Sequence, residues 1–190
     1  MNSKFLTSIL LLCFFNQSFS QSLIKFSENG KFGFKNSDNV IVVPAQYDVV
    51  KPFSDGLSCV INDGLSGYID EKGKIVIPFR KIQGFNFSEG LAAVYNLETK
   101  KYEIIDKSGK IIINAAKYDF VGEFKEGFAV VSKNLIYGYI DKSGKETIPL
   151  QYSSAKPFYQ GKATVKKGDR TYSIDKMGNE IKVEEQFWGY

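Results

Sequence analysis

The chain has 190 residues, with 25 lysines and arginines against 21 aspartates and glutamates, two cysteines and no histidine. Without histidine it lacks the commonest general base and metal ligand, and every serine or cysteine nucleophile that relies on a histidine partner is excluded. The net charge of +4 rests almost wholly on lysines scattered among acids, Arg80 and Arg170 being the arginines; that is not the clustered charge nucleic acid selects, and no nucleic-acid partner is expected.

Taken in chain order, residues 1–20 read as a secretory signal peptide. Lys4 supplies a short basic region, Phe5 to Phe15 an uncharged apolar run, and Ser18-Phe19-Ser20 the small residues before a cleavage site. Cleavage after Ser20 leaves residues 21–190 as one exported domain, periplasmic or extracellular. It does not insert in a membrane, since no later segment approaches the roughly 18 apolar residues of a spanning helix. Cys13 raises lipidation as an alternative, against which stand Leu12, where a small residue is wanted, and its place inside the apolar run. Cys59 is then the single cysteine of the mature chain, which forms no internal disulfide. It aligns with Ala93, Val130 and Thr164 and reads as a strand residue rather than a reactive thiol.

From Leu23 onward the sequence repeats about every 34 residues. F-x-x-G recurs at Phe53–Gly56, Phe87–Gly90, Phe124–Gly127 and Phe158–Gly161, and Ile-Asp-x-x-Gly at Ile69–Gly73, Ile105–Gly109, Ile140–Gly144 and Ile174–Gly178. A fixed period of this length makes each repeat one supersecondary unit that shares a core with its neighbours. Around Asp70–Gly73 two β-rich runs form a hairpin of strands a and b, with Gly73 left-handed and Asp70 accepting backbone amides across the turn; Asn36 and Asn39 take these places in the first unit. Pro44, Pro78 and Pro149 are expected to end strand b, with Asn114 in their place in the third unit.

A third strand, c, follows each F-x-x-G: Leu57–Val60, Leu91–Val94, Phe128–Val131 and Lys162–Val165. In it Ser58, Ala92, Ala129 and Ala163 share a face with Val60, Val94, Val131 and Val165, which predicts close approach of a neighbouring unit. The third unit carries a longer loop at Asn96–Lys101 and an insertion near Asn114-Ala115-Ala116. Leu23–Phe26 reads as a c strand without its own a and b, and Asp175–Val183 as an a and b without their c. The fold class is therefore all-β, tandem three-stranded repeats forming either a closed propeller-like ring or an open β superhelix. In the ring, Leu23–Phe26 would pair beside Glu180–Val183 and remove the exposed edges.

The combined motifs resemble the WG-repeat family of bacterial proteins. The likeness rests on Gly30-Lys31-Phe32-Gly33-Phe34, Ser66-Gly67-Tyr68-Ile69-Asp70 and Tyr137-Gly138-Tyr139-Ile140-Asp141, continued in Pro44-Ala45-Gln46-Tyr47-Asp48 and Tyr118-Asp119. No unit keeps tryptophan before its glycine, Glu103 and Tyr172 replace that glycine in two units, and Trp188-Gly189-Tyr190 falls out of register. The resemblance implies a β-repeat protein that mediates interactions, and it carries over no catalytic residue.

The recurring Asp70, Asp106, Asp141 and Asp175 form the one carboxylate series, and each reads as a turn residue rather than a calcium ligand or half of an acid pair. No cofactor or metal site is expected. Tyr47, Tyr118 and Tyr152, with Phe187, recur beside the proline-bounded loop. Either they fill the core between units or they form a row of rings on a binding face. The function expected is an exported scaffold that binds a protein partner without catalysis. The alternative is a carbohydrate or cell-wall binder, and an enzyme working through paired carboxylates is a third class.

Overall fold

The computed structural model describes residues 23–182, and every regular element in them is a β-strand. Residues 1–22, which include the segment expected to be a signal peptide, and Val183, Phe187 and the terminal Trp188-Gly189-Tyr190 lie outside the described residues. Five antiparallel sheets follow one another along the chain. The first holds β1 (Ile24–Glu28), β2 (Lys31–Lys35) and β3 (Ile41–Tyr47). The second holds β4 (Val49–Val50), β5 (Leu57–Asn62), β6 (Leu65–Asp70) and β7 (Ile75–Arg80). The third holds β8 (Ile82–Gly84), β9 (Leu91–Asn96), β10 (Lys101–Asp106) and β11 (Ile111–Asn114). The fourth holds β12 (Phe120–Lys125), β13 (Phe128–Lys133), β14 (Ile136–Asp141) and β15 (Glu146–Tyr152). The fifth holds β16 (Ser154–Ala155), β17 (Ala163–Lys167) and β18 (Arg170–Ile174), with a bridge from Ile174 to Glu180.

The sheet boundary therefore falls between strands b and c, so the structural unit is c-a-b with a short strand before it. Of the two arrangements open to the sequence, the pairing of Leu23–Phe26 beside Glu180–Val183 is not seen among the described residues. Leu23–Phe26 lies in the first sheet, where β1 pairs with β2 in register from Ile24–Lys35 to Glu28–Lys31. Among the described residues β1 has no other pairing, and Glu180 pairs with Ile174 of its own unit. The first and fifth sheets have three strands each, against four in the sheets between them.

The core is serial. Four hydrophobic clusters sit at the four junctions between consecutive sheets, each built from both neighbours. Strand alternation sends successive residues to opposite junctions. Val60 and Ile69 pack toward the first sheet, while Cys59 and Tyr68 pack toward the third. The small-residue and valine face of strand c meets the preceding unit as expected, through Ala92 and Val94, Ala129 and Val131, and Ala163 and Val165. The a-strand ring faces the following unit and meets its F-x-x-G phenylalanine: Phe34 on Phe53, Tyr68 on Phe87 and Tyr139 on Phe158, with centroids 4.7, 5.0 and 4.9 Å apart. Tyr68 and Tyr139 are fully buried, and each donates its hydroxyl at 2.8 Å to a carbonyl of the next unit, of Phe85 and Lys156. A buried phenol without such an acceptor would be costly.

The prolines do not end strand b. Pro44, Pro78 and Pro149 lie inside β3, β7 and β15, which are outer strands of their sheets, where a missing amide costs no ladder bond. At each proline the b strand bulges over the glycine of the neighbouring a strand. The pairing runs from Phe34–Val43 to Phe32–Tyr47 and from Tyr139–Ile148 to Tyr137–Tyr152. A Cβ on Gly138 would lie 2.6 Å from the Ile148 carbonyl oxygen, and one on Gly33 would strike the Val43 carbonyl. Glycine and proline therefore form one device. The third sheet has Glu103 for the glycine and Asn114 for the proline, and β11 stops there without a bulge over it.

The turn expectations hold. Asp70, Asp106, Asp141 and Asp175 each accept the amides two and four residues on, and Asn36 does the same. Each F-x-x-G glycine is left-handed, as is the residue before it. With Ser54 and Leu57 exchanging both backbone bonds, the Asp55-Gly56 pair forms a two-residue hairpin of the I′ type.

Two outcomes follow for stability. Gly138→Ala presses a methyl into fixed backbone and should lower chemical-denaturation stability by about 1–3 kcal/mol. At the hairpin between β13 and β14, Leu135 sits at φ 62° and is exposed, in the place that Gly64 holds between β5 and β6. Leu135→Gly should raise stability by ~1 kcal/mol in the same assay.

Candidate interaction surface

Tyr47, Tyr118 and Tyr152 do not form a binding face. They are 5, 5 and 2% exposed and belong to three different junction clusters. Tyr47 stacks on Phe79 at 6.2 Å, and Tyr118 donates to a Glu146 carboxylate oxygen at 3.2 Å. Burial pushes all three hydroxyls above their ordinary pKa. Of the two readings of this row, packing between units is the one the geometry supports for these three; Phe187 lies outside the described residues. Cys59 is likewise buried, its thiol 3.6 Å from the Gly84 carbonyl and raised in pKa by burial.

The surface that does recur lies where strand a turns into strand b. Here each turn glycine sits on an aliphatic side chain of the preceding sheet. A Cβ built on Gly73 falls 3.1 Å from Val43, one on Gly109 3.0 Å from Ile77, and one on Gly144 2.6 Å from Ile113; Gly178 stands at 3.5 Å from Ile148. Beside these seats runs a ladder of charge. In the first three F-x-x-G turns the residue before the glycine is an acid that accepts the amide of the next unit's glycine: Asp55 from Gly90 at 2.6 Å, Glu89 from Gly127 at 3.0 Å and Glu126 from Gly161 at 2.9 Å. The same acids pair with a lysine in the next a–b turn, Asp55 with Lys107, Glu89 with Lys142 and Glu126 with Lys176, at 2.9, 3.0 and 3.1 Å. Ser54 and Ser88 add hydroxyl bonds to the carbonyls of Phe87 and Phe124.

The ladder stops at identifiable residues. Gln160 stands where a fourth acid would, and Glu71 occupies the lysine place in the second unit. Sequence reasoning passed over this device, although F-x-[DE]-G followed by Asp-Lys-x-Gly one unit later spells it out.

On the same rim, the first residue of strand b is an exposed isoleucine in three consecutive sheets. Ile41, Ile75 and Ile111 are 54, 49 and 47% exposed, and Val40 and Ile112 add to them. Glu146 and Glu180 hold this place in the last two units. Just before it stand Lys74, Lys110 and Lys145, all exposed and none in an ion pair among the described residues. Among the described residues no group of three or more aspartates, glutamates or cysteines is arranged to hold a metal ion. No helix among them is long and apolar enough to cross a membrane.

The ladder has a pH signature. The bond from Lys107 holds Asp55 below the ordinary carboxylate range against its partial burial. Burial pushes Glu89 up, but the bonds from Lys142 and the Gly127 amide outweigh it, and the net direction is down. The Gly161 amide, then Lys176, lowers Glu126. A depressed folded pKa contributes stability that is present above the unfolded value and is lost as pH falls through the folded one. The melting temperature should therefore fall between about pH 5 and pH 3. A variant carrying Asp55→Asn, Glu89→Gln and Glu126→Gln should melt lower at neutral pH and show a shallower acid slope, not a flat one, because Asp106, Asp141 and Asp175 are lowered too.

Comparison with known proteins gives both a family and a fold. The family model described as "WG containing repeat" matches residues 32–65, 67–96, 104–134 and 137–170. Among solved structures, "KlHsv2 with loop 6CD replaced by a Gly-Ser linker" matches with a TM-score of 0.55 at 13% identity, over 84% of this chain and 60% of that one. A structure described as "the eukaryotic initiation factor" matches with 0.53 at 12% identity, over 87% and 52%. The chain thus spans about half to three-fifths of the length of these structures, and at such identity the likeness is one of fold, β-propeller-like. A search of curated proteins finds no match.

Proposed function

The chain belongs to the WG-containing-repeat family, and on that footing we propose that it is an exported β-repeat scaffold that binds a protein partner and performs no catalysis. The observation that carries this reading is the row of Ile41, Ile75 and Ile111, presented once per sheet at equivalent positions. Exposed β-branched side chains at the start of an outer strand weaken solubility and add nothing to a junction core. A recurring row of them is accounted for by contact with an apolar surface. The unpaired Lys74, Lys110 and Lys145 alongside favour a partner segment that mixes apolar with acidic residues. Isoleucine suits a protein partner better than a polysaccharide, which stacks on aromatic rings; the rings expected to do so are buried at Tyr47, Tyr118 and Tyr152.

The test is a combined Ile41→Ser, Ile75→Ser and Ile111→Ser variant. It should keep the parent's melting temperature within a few degrees, since half-exposed residues leave little cavity. It should also lose the partner that crosslinks to parent protein in the cell envelope, by about tenfold or more. An unchanged crosslinking pattern, or retention of parent and variant alike on cell-wall polysaccharide, would favour the carbohydrate reading.

A further inference from the structure

The junction between the second and third sheets differs from the others. In the first and fourth sheets a buried tyrosine closes strand b opposite the residue before the glycine, Tyr47 on Phe32 and Tyr152 on Tyr137. Tyr118 fills the corresponding space after the third. In the second sheet the residue so paired is Arg80, opposite Ser66. Where the tyrosine is missing a cleft opens, with a volume of about 400 Å³, within the range of roughly 300–1,000 Å³ of small-molecule sites. Two further departures of the repeat line the same cleft: Glu103, which stands in place of the family's glycine, and the long Asn96–Lys101 loop, which supplies Asn96 and Glu98.

The charges around this cleft fall into two groups. At its mouth Lys81 and Glu98 pair with each other at 3.3 Å, both about two-thirds exposed. Arg80 and Glu103 have no ion-pair partner among the described residues. Among the described residues the Arg80 Nε is buried without a hydrogen-bond partner, and a terminal nitrogen reaches only the Gly109 carbonyl at 3.5 Å. Glu103 accepts, among the described residues, only from the Asn96 amide, also at 3.5 Å. Both contacts lie at the outer limit of hydrogen bonding. A guanidinium with five donors in a fixed fork, left nearly unused, matches a planar carboxylate. A carboxylate with free lone pairs matches an ammonium. Leu65, Phe79 and Ile82 add an apolar lining to the same cleft.

We propose that this cleft binds a small dipolar molecule of the α-amino acid or short-peptide class. Arg80 takes the carboxylate, Glu103 the ammonium, and the apolar lining the side chain. The site is independent of the isoleucine rim, so its test does not stand or fall with the protein-partner reading.

The experiment is calorimetric titration of the purified chain with L-leucine, L-phenylalanine and the dipeptide Leu-Leu. Each is compared with leucinamide, which lacks the carboxylate, and 4-methylpentanoate, which lacks the ammonium. At least one of the three dipolar probes should bind, and each truncated analogue should bind about tenfold or more weakly, the loss expected for a charge-assisted bond. Glu103→Gln and Arg80→Gln should each weaken binding by a similar factor. Arg80→Tyr, which sets a tyrosine opposite Ser66 as Tyr47 and Tyr152 stand opposite Phe32 and Tyr137, should abolish binding with a melting temperature at or above the parent's, and it keeps the test valid if Arg80→Gln does not fold. Three results would overturn the proposal: no binding of any dipolar probe at about 10 mM, where even a millimolar site would be largely filled; equal binding of leucinamide or 4-methylpentanoate; or undiminished binding to Arg80→Tyr. Binding of D-glucuronate with none of the dipolar probes would assign the cleft to an acidic sugar instead.

Discussion

The fold depends on how one repeat is seated on the repeat before it. A single three-stranded sheet of this size cannot bury both faces, and the hydrophobic clusters lie between sheets rather than within one. The seat is the a–b turn. Its glycine is left-handed, as the turn requires, and bare of a side chain, as the neighbour requires, because Val43, Ile77, Ile113 or Ile148 fills the space a Cβ would take. The acid–amide–lysine ladder then fixes the lateral position of each F-x-x-G turn over the next. Individually these ion pairs are about one-third exposed on the acid side and are weak. Their contribution is register, reinforced by the amide bonds that share the same carboxylates.

The second constraint acts within a sheet. Wherever the glycine of strand a is kept, the b strand folds down on it and carries proline inside the bulge. The third unit, which has lost the glycine, has also lost the proline. Outer strands carrying proline and a bulge are poor templates for pairing with another chain. The array thus protects three of its outer edges by the same features that shape its units, and leaves side chains at the start of strand b free to vary. Isoleucines occupy that freedom in three sheets and glutamates in two. At the second junction Arg80 pairs where Tyr47 and Tyr152 pair in their sheets, beside a cleft.

Much of this is legible in the sequence, because a repeat displays its own constraints. The period, the strands and the turn role of Asp70 and its equivalents follow from residue spacing, and all are present. The small-residue and valine face of strand c also reads correctly, since alternation fixes which residues share a face. Three features were harder to read. The sheet boundary lies between b and c because c pairs with the a that follows it, whereas a linear pattern reads equally well in either phase. Proline reads as a stop on the assumption of a central strand, whereas β3, β7 and β15 are outer strands. Tyr47, Tyr118 and Tyr152 share a local motif with exposed residues such as Gln46 and Gln151, and nothing local distinguishes inward from outward rings. The ladder was available in the residues, but only by comparing each unit with the next rather than with the consensus.

The claim that neighbouring sheets are held through the turn seats is tested most directly by amide hydrogen exchange on Gly144→Val. Its side chain would collide with Ile113 of the preceding sheet at a position where a Cβ already falls 2.6 Å away. Seating through the turn predicts that protection drops together in Ile111–Asn114 and Glu146–Tyr152, on the two sides of the junction, while Leu57–Asp70 keeps its parent exchange rates. Loss confined to the fourth sheet would contradict this account, because the glycine would then serve only its own turn.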